Sequence, residues 1–442
     1  LKFQLPEPQT PIAYPSTPEE LEALRVFHKR NLRPEMVGIH ALNGLAPHNS
    51  ASRSVMMTQH IPQHLVISGL EKPYIISGPE YRLSKYTFNT KMPANSSVKA
   101  VINRYSWTMG AGGVRGTPER TLIFSREDNG RLDYLNVQEW SSYHTYFGYR
   151  NKIFPVTNRI TDNTNLPKDL VLADTPANTD DDCYCYGLNL ETAFFDRRAT
   201  AEDGAIVSKS ALRRMTFRVY ETREVGMGSH EFPLALYGMK DGQYKIFPDI
   251  GEEVREDGLI MATRPYSDRL SVANMSVHDV TEVDHYFDTK CYSRESLLNK
   301  DVQEGIKAGT MKALRGRVVD IKVIRNNSHN SMLPPMMTEQ LNRYHTALVN
   351  YYSQVLDVVR KYEVEDRRRG GTGFVPMTPG LQNFLARARV LAGQGGNRFT
   401  GNIDLQYKRA SLDEYTVYFV IEHEIVPSLG FKISDTNGSS HS

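Results

Sequence analysis

Seven apolar side chains, Leu341, Tyr344, Leu348, Tyr351, Val355, Val359 and Tyr362, recur three and four positions apart. Residues so spaced share one face of a 3.6-residue turn, so the stretch after Met336-Met337-Thr338 is predicted to be one long amphipathic helix. The stripe must be buried, so the fold needs a sizeable core to receive it. The helix is expected to end at Arg367-Arg368-Arg369-Gly370-Gly371. That arginine run reads as a solvated helix end complementing the helix dipole, in preference to a ligand site. A second, shorter helix is expected over about 379–392, before Gly393-Gln394-Gly395-Gly396.

Elsewhere the texture is mostly β. From about 60 to 170, short runs such as YIISGPE, KYTFNT, VKAVINRYSW and RTLIFSREDNG alternate with turn residues. Residues 169–262 continue in the same way through AIVSKS, FRVYET and QYKIFPDIG, and Tyr415 to Ile421 alternates as a strand before Phe431-Lys432-Ile433. In Arg-Gly-Arg-Val-Val-Asp-Ile-Lys-Val-Ile-Arg, over 315–325, Val318, Ile321 and Val323 define a strand whose other face is expected to meet solvent or an anion. Near the start, Thr17-Pro18-Glu19-Glu20 carries a helix-start signature behind a Pro-rich arm over 1–16. The expected class is α+β, mostly β.

With 442 residues, two or three domains are expected at roughly 100–200 residues each. Lys and Arg (53) nearly balance Asp and Glu (51), so any nucleic-acid contact must be local. No apolar run reaches the ~18–20 residues of a membrane span. The opening LKFQLPEPQTPIAYP has neither a basic nor an apolar signal-peptide region. Three cysteines are too few for a disulfide scaffold, and Cys183 and Cys185 have the wrong spacing for a zinc ribbon, so free thiols are expected. Gly110-Ala111-Gly112-Gly113 lacks the Lys-Ser/Thr of a phosphate loop and reads as a loop. Asp180-Asp181-Asp182 reads as an exposed acidic loop rather than a metal site. No nucleophile elbow or zincin helix occurs. Composition and spacing alone stop at a multi-domain, β-rich protein.

Three stretches carry more. The first is His48-Asn49-Ser50-Ala51-Ser52-Arg53-Ser54-Val55-Met56-Met57, followed by Pro62-Gln63 and Glu71-Lys72-Pro73. The second is Asp169-Leu170-Val171-Leu172-Ala173-Asp174-Thr175-Pro176, then Gly187-Leu188-Asn189, then Glu202-Asp203-Gly204-Ala205-Ile206-Val207-Ser208. The third runs from Tyr418-Phe419-Val420-Ile421 to Gly430-Phe431-Lys432-Ile433. In order, they resemble three regions of the β subunit of multisubunit RNA polymerases. These read H-D-D-A-N-R-A-L-M-G with Q-R-Q-A-V-P and E-K-P; G-D-V-L-A-D-G-P with G-Q-N and E-D-S-I-L-V-S-E; and V-Y-L-A-V-K-R leading to a two-lysine loop. Phe247-Pro248-Asp249-Ile250-Gly251-Glu252-Glu253-Val254 is similar to the family's L-P-x-V-G-x-x-V turn, and Val318-Asp320-Val323 to its flap-base strand. Asn49 and Ser50 replace two family acids, and Ser440 stands where the second lysine falls.

The resemblance implies the C-terminal portion of a split β subunit, of the kind encoded by giant bacteriophages. It implies a double-psi β-barrel built from discontinuous segments. A fork and β-rich external region with the N-terminal arm would occupy 1–168, and the first barrel part 169–262. A flap-like insertion with the long helix would fill 263–404, and the second barrel part, truncated or ending in the active-site loop, 405–442. Arg53 is then the expected triphosphate contact, since a planar guanidinium suits phosphate oxygens. Glu202 and Asp203 would flank the nucleotide-borne second Mg²⁺, Lys432 would act near the RNA 3′ end, and Gln63 would touch RNA. The family's first Mg²⁺ is held by a D-F-D-G-D loop on a β′ partner, so this chain would supply half of a two-metal centre. Expected partners are that β′-like subunit, an N-terminal β-like subunit, template DNA, RNA and NTPs, in an infected bacterial cytoplasm or a virion. Two rival readings are a non-catalytic phage structural or interaction protein and a transcription factor that binds a host polymerase.

Overall fold

In a computed structural model of the chain, the apolar stripe forms one helix of 34 residues, Pro335–Arg368. It stops in a Schellman turn. Gly370 takes φ +87°, its N–H reaches the Arg367 carbonyl at 3.0 Å, and the Gly371 N–H reaches that of Asp366 at 2.9 Å. The structure describes residues 50–74, 76, 79–104, 120–143, 147–193, 204–228, 231–235, 237, 245–255, 259–265, 290–293, 316–326, 333, 335–392, 414–427, 433–434 and 440–441. The expected helix at Thr17 and the loop Gly110–Gly113 lie outside these residues. The fold is α+β with strands predominating, in curled sheets.

The chain divides into two compact units, one drawn from Leu1–Thr87, Pro176–Thr216 and Val426–Ser442, the other from Phe88–Thr175 and Phe217–Ile425. Among the described residues of the first unit the helices are α1 (Ala51–Gln63), α2 (Pro79–Tyr86) and α3 (Lys209–Arg214), and Ile433–Ser434 pairs antiparallel with Ser440–His441. Two strand expectations fail here. Residues 79–86, entered from YIISGPE, are helical, and AIVSKS runs irregularly into α3, whose start Ser208 caps by accepting the Ala211 N–H.

In the second unit, β2 (Ser96–Asn103) sits inside a four-stranded sheet with β3 (Arg120–Arg126), β4 (Leu132–Val137) and β8 (Asn165–Leu166), in the order β4-β3-β2-β8. A three-stranded sheet takes β1 (Asn89–Lys91), β9 (Val171–Asp174) and β7 (Lys152–Ile153). Another takes β11 (Glu231–Pro233), β12 (Leu259–Pro265) and β13 (Lys290–Ser293). The five-stranded sheet runs β14 (Arg317–Arg325), β15 (Tyr415–Ile425), β10 (Phe217–Met227), β6 (Phe147–Arg150), β5 (Trp140–Tyr143). Its spine is the antiparallel pair β10–β15, in continuous register from Phe217 opposite Ile425 to Met227 opposite Tyr415.

The long helix, α4, serves two cores. Leu341, Tyr344 and Ala347 pack with Val318, Ile321, Val323, Val417 and Phe419 of the five-stranded sheet. Further along, Tyr351, Val355 and Val359 pack with Ala100, Ile102 and Ile123 and with Leu381 and Leu385 of α5 (Pro379–Leu391). Thr378 caps α5 and Pro379 opens it, at the start the sequence places there. On the opposite face of the four-stranded sheet, Val98, Leu122 and Phe124 meet Met92, Leu172 and Ala173. A bulge between Val98 and Ala100 switches β2 from one core to the other.

Two further expectations change. The second face of β14 is mostly covered rather than open, because Asp320 is buried there and Ile324 packs with Leu348 and Tyr418, while Lys322 between them is partly exposed and faces the Asp320 carboxylate. KIFPDIG is a buried turn rather than a strand. The Asp249 carboxylate accepts the Tyr344 hydroxyl at 2.8 Å and the Gln340 side-chain amide at 3.0 Å, pinning the turn to α4.

Candidate functional site

Helix α1 carries two of the sequence-predicted contacts. Ser50 caps it, its hydroxyl accepting the Arg53 N–H at 3.3 Å. Ser50 thus works as a helix cap where the family pattern has an acid. Arg53 is exposed, and its guanidinium approaches the Met56 sulfur at 3.7 Å. Among the described residues no carboxylate pairs with it. Gln63, also exposed, closes the same helix, about 15 Å further along at 1.5 Å per residue. Glu202, Asp203 and Lys432 lie outside the described residues.

Behind α1, His64 is packed edge-on between Tyr184 and Tyr186, with its Nδ1 3.3 Å from the Tyr184 hydroxyl. Burial holds its imidazole below the ordinary histidine range, partly offset by a backbone hydrogen bond at Tyr186, so the ring is neutral at pH 7. The same 183–189 stretch reaches the residues after α1. The Glu71 N–H donates to the Gly187 carbonyl at 2.8 Å, and the Glu71 carboxylate accepts the Asn189 N–H at 3.0 Å. The Asn189 amide donates to the Lys72 carbonyl at 2.8 Å and accepts the Tyr74 N–H at 3.2 Å. Arg214 closes on Glu71 and, with Asn189, pulls its carboxyl below the usual range.

No sequence signal singles out Arg214 or His64. Neither stands in a motif, and both are recruited by contacts distant in the chain.

The aspartate triplet is an exposed loop in which Asp181 pairs with Lys72 and accepts from the Thr179 hydroxyl. Cys183 and Cys185 are free and buried, and burial pushes the Cys185 thiol up to about 11. Among the described residues no group of three His, Cys, Asp or Glu side chains comes together as a metal site, and no helix is long and apolar enough to cross a membrane. No protein-family model matches the chain, and no curated protein does.

Proposed function

We propose that this chain is the C-terminal β-like portion of a split, phage-type multisubunit DNA-dependent RNA polymerase, lining the NTP and RNA 3′-end side of its active site. The observation that carries this reading is the Glu71–Asn189 clasp. Two stretches that each resemble the β subunit, Glu71-Lys72-Pro73 and Gly187-Leu188-Asn189, lie 118 positions apart at their clasping residues and bond to each other through both backbone and side chain. A chance likeness of separate pieces has no reason to converge in space. The sheet adds support, since β15, from the third stretch, pairs with the flap-base-like β14 as well as with β10. The double-psi β-barrel belongs to this proposal, with β10 and β15 as contributions from its two discontinuous parts.

Arg53, exposed on a capped helix, is available to grip the incoming triphosphate through its fork. Gln63 is offered to RNA from the far end of α1. Glu202 and Asp203 would help hold the nucleotide-borne second cation, through water, and Lys432 would offset phosphate charge at the RNA end. Mg²⁺, held by the β′-like partner, would neutralise charge developing on the transferred phosphoryl group. The exposed Tyr74, Val55 and Ile206 in the first unit suit burial against a partner chain. The working compartment is the infected bacterial cytoplasm or the virion.

Purification of the chain from its native source tests this. A co-purifying polypeptide with D-F-D-G-D and template-dependent NTP incorporation are expected. A chain that purifies alone and adds no activity to any such partner overturns the reading and favours a structural protein.

A further inference from the structure

The arginine run at the end of α4 reads from sequence as a solvated helix terminus, but the turn that follows gives it a companion. Beyond Gly370 the chain is fixed. The Asp366 carboxylate accepts the Gly373 N–H at 2.8 Å, and Gly373 holds φ +78° where a Cβ would strike the Arg367 side chain. The segment that follows is stitched to β4. The Leu132 N–H reaches the Pro376 carbonyl at 2.9 Å, the Thr378 N–H reaches the Leu132 carbonyl at 2.9 Å, and the Thr378 hydroxyl donates to Asp133 at 2.7 Å. Val375 and Met377 turn into the core beneath the hairpin, which leaves Phe374 facing out, 71 % exposed.

We infer that the tip of the α4–α5 hairpin is a binding site for single-stranded nucleic acid, with Phe374 as the stacking platform and Arg368 and Arg369 as the phosphate contacts. Charge complementarity selects this occupant. Residues 366–378 carry three arginines and one acid, and that acid, Asp366, is engaged by the turn's own backbone. Phe374 stands five and six positions after the exposed Arg369 and Arg368, and an exposed ring on a segment rich in guanidinium groups is a combination that holds unpaired bases, whose faces stack while their phosphates are neutralised. A duplex hides its base faces and leaves Phe374 without a role. A rigid tip also spares the complex the entropy of ordering the ring. The inference is independent of the polymerase reading, because it needs no second chain.

The test uses the purified full chain with labelled oligonucleotides of about 16 nucleotides, the upper end of a single-strand site: RNA, DNA of the same sequence, and the DNA duplex. Phe374→Ala should weaken single-strand binding about tenfold or more and leave duplex binding unchanged. Phe374→Trp should keep the affinity and show emission quenched by single strands alone. Arg368→Ala/Arg369→Ala should lower the slope of log K against log salt by about 1.4, near 0.7 for each phosphate left without its arginine. Tighter binding of RNA than DNA, or the reverse, supports the site and identifies the sugar it accepts. Unchanged single-strand affinity in Phe374→Ala, absence of quenching, or equal binding of polyglutamate overturns it. Because Phe374, Arg368 and Arg369 are exposed, the variants retain the wild-type fold, which circular dichroism checks.

Discussion

Arg104 donates through Nη2 to Oδ1 of Asp320 at 2.5 Å, across 216 positions of sequence. Both side chains are almost fully buried. The pair ties the end of β2 to the bulged start of β14, and so the four-stranded sheet to the five-stranded one. Lys322 stands 3.8 Å from the other carboxylate oxygen.

Removing one partner should be costly. Arg104→Met leaves the buried carboxylate with only the more distant Lys322 and is expected to destabilise the second unit by up to about 3–5 kcal/mol. Replacing both, Arg104→Met with Asp320→Leu, should recover much of that loss. Urea denaturation monitored at Trp140, which stacks on Tyr220 in the same unit, reads the difference. Equal stability of wild type and Arg104→Met would remove the pair from any structural role.

The pair also sets a pH dependence. Burial pushes the Asp320 carboxyl up, but the Arg104 charge, with Lys322 behind it, outweighs burial and holds the group below the ordinary carboxylate range. A depressed folded value contributes stability above the unfolded value of about 3.9, and that stability is lost as pH falls through the folded value. In Arg104→Met the carboxyl has lost its closer cation and keeps only Lys322, so the variant's deficit should shrink as acidification protonates Asp320. Unfolding free energies of both proteins from pH 7 down to about 3 check the sign.

Ser50→Ala removes the cap of α1 and should cost about 1 kcal/mol locally. Faster amide exchange at Arg53 and Ser54 would report it. If the proposed polymerase reading holds, Arg53→Ala in the complex reconstituted with a D-F-D-G-D partner should raise KM for NTP about tenfold or more, and Arg53→Lys should not restore it, because an ammonium lacks the two-pronged fork. Ser50→Ala should have a smaller effect in the same direction. An unchanged KM in Arg53→Ala would withdraw the triphosphate assignment.

Gly69 admits no side chain. A Cβ there would stand 2.6 Å from the Arg214 carbonyl oxygen, the group that accepts the Gly69 N–H at 2.9 Å. Gly69→Ala should therefore destabilise the first unit by about 1–3 kcal/mol through overpacking. Gly187→Ala, with open space around its Cβ position, should be nearly neutral. Thermal melts of the two variants side by side decide it, and equal midpoints would contradict the close approach.

Some of this architecture was written locally. Three- and four-residue spacing of apolar side chains determined α4 and its buried stripe, a shorter helix was legible over about 379–392, the β-rich run FRVYET marked β10, and alternation marked β15. Such signals depend on neighbours within a turn or a pleat, so sequence carries them directly. The candidate site was legible only as separate stretches. Arg53 and Gln63 fall on one helix, while the partnership of Glu71 with Asn189 and Arg214 joins segments more than a hundred positions apart, and no periodicity encodes it.

Tertiary structure decided the rest. Alternation alone puts Val98, Ala100 and Ile102 on one face of β2, yet one bulged residue sends Val98 to one core and the other two to the second. Asp320 reads as a polar residue on an open face, and it is buried because Arg104 arrives from another sheet to neutralise it. Helical and strand periods follow from bonds a few residues long. Bulges, buried ion pairs and strand partners are fixed by whichever distant segment lowers the free energy of the packed whole, and that choice exists only once the chain has folded.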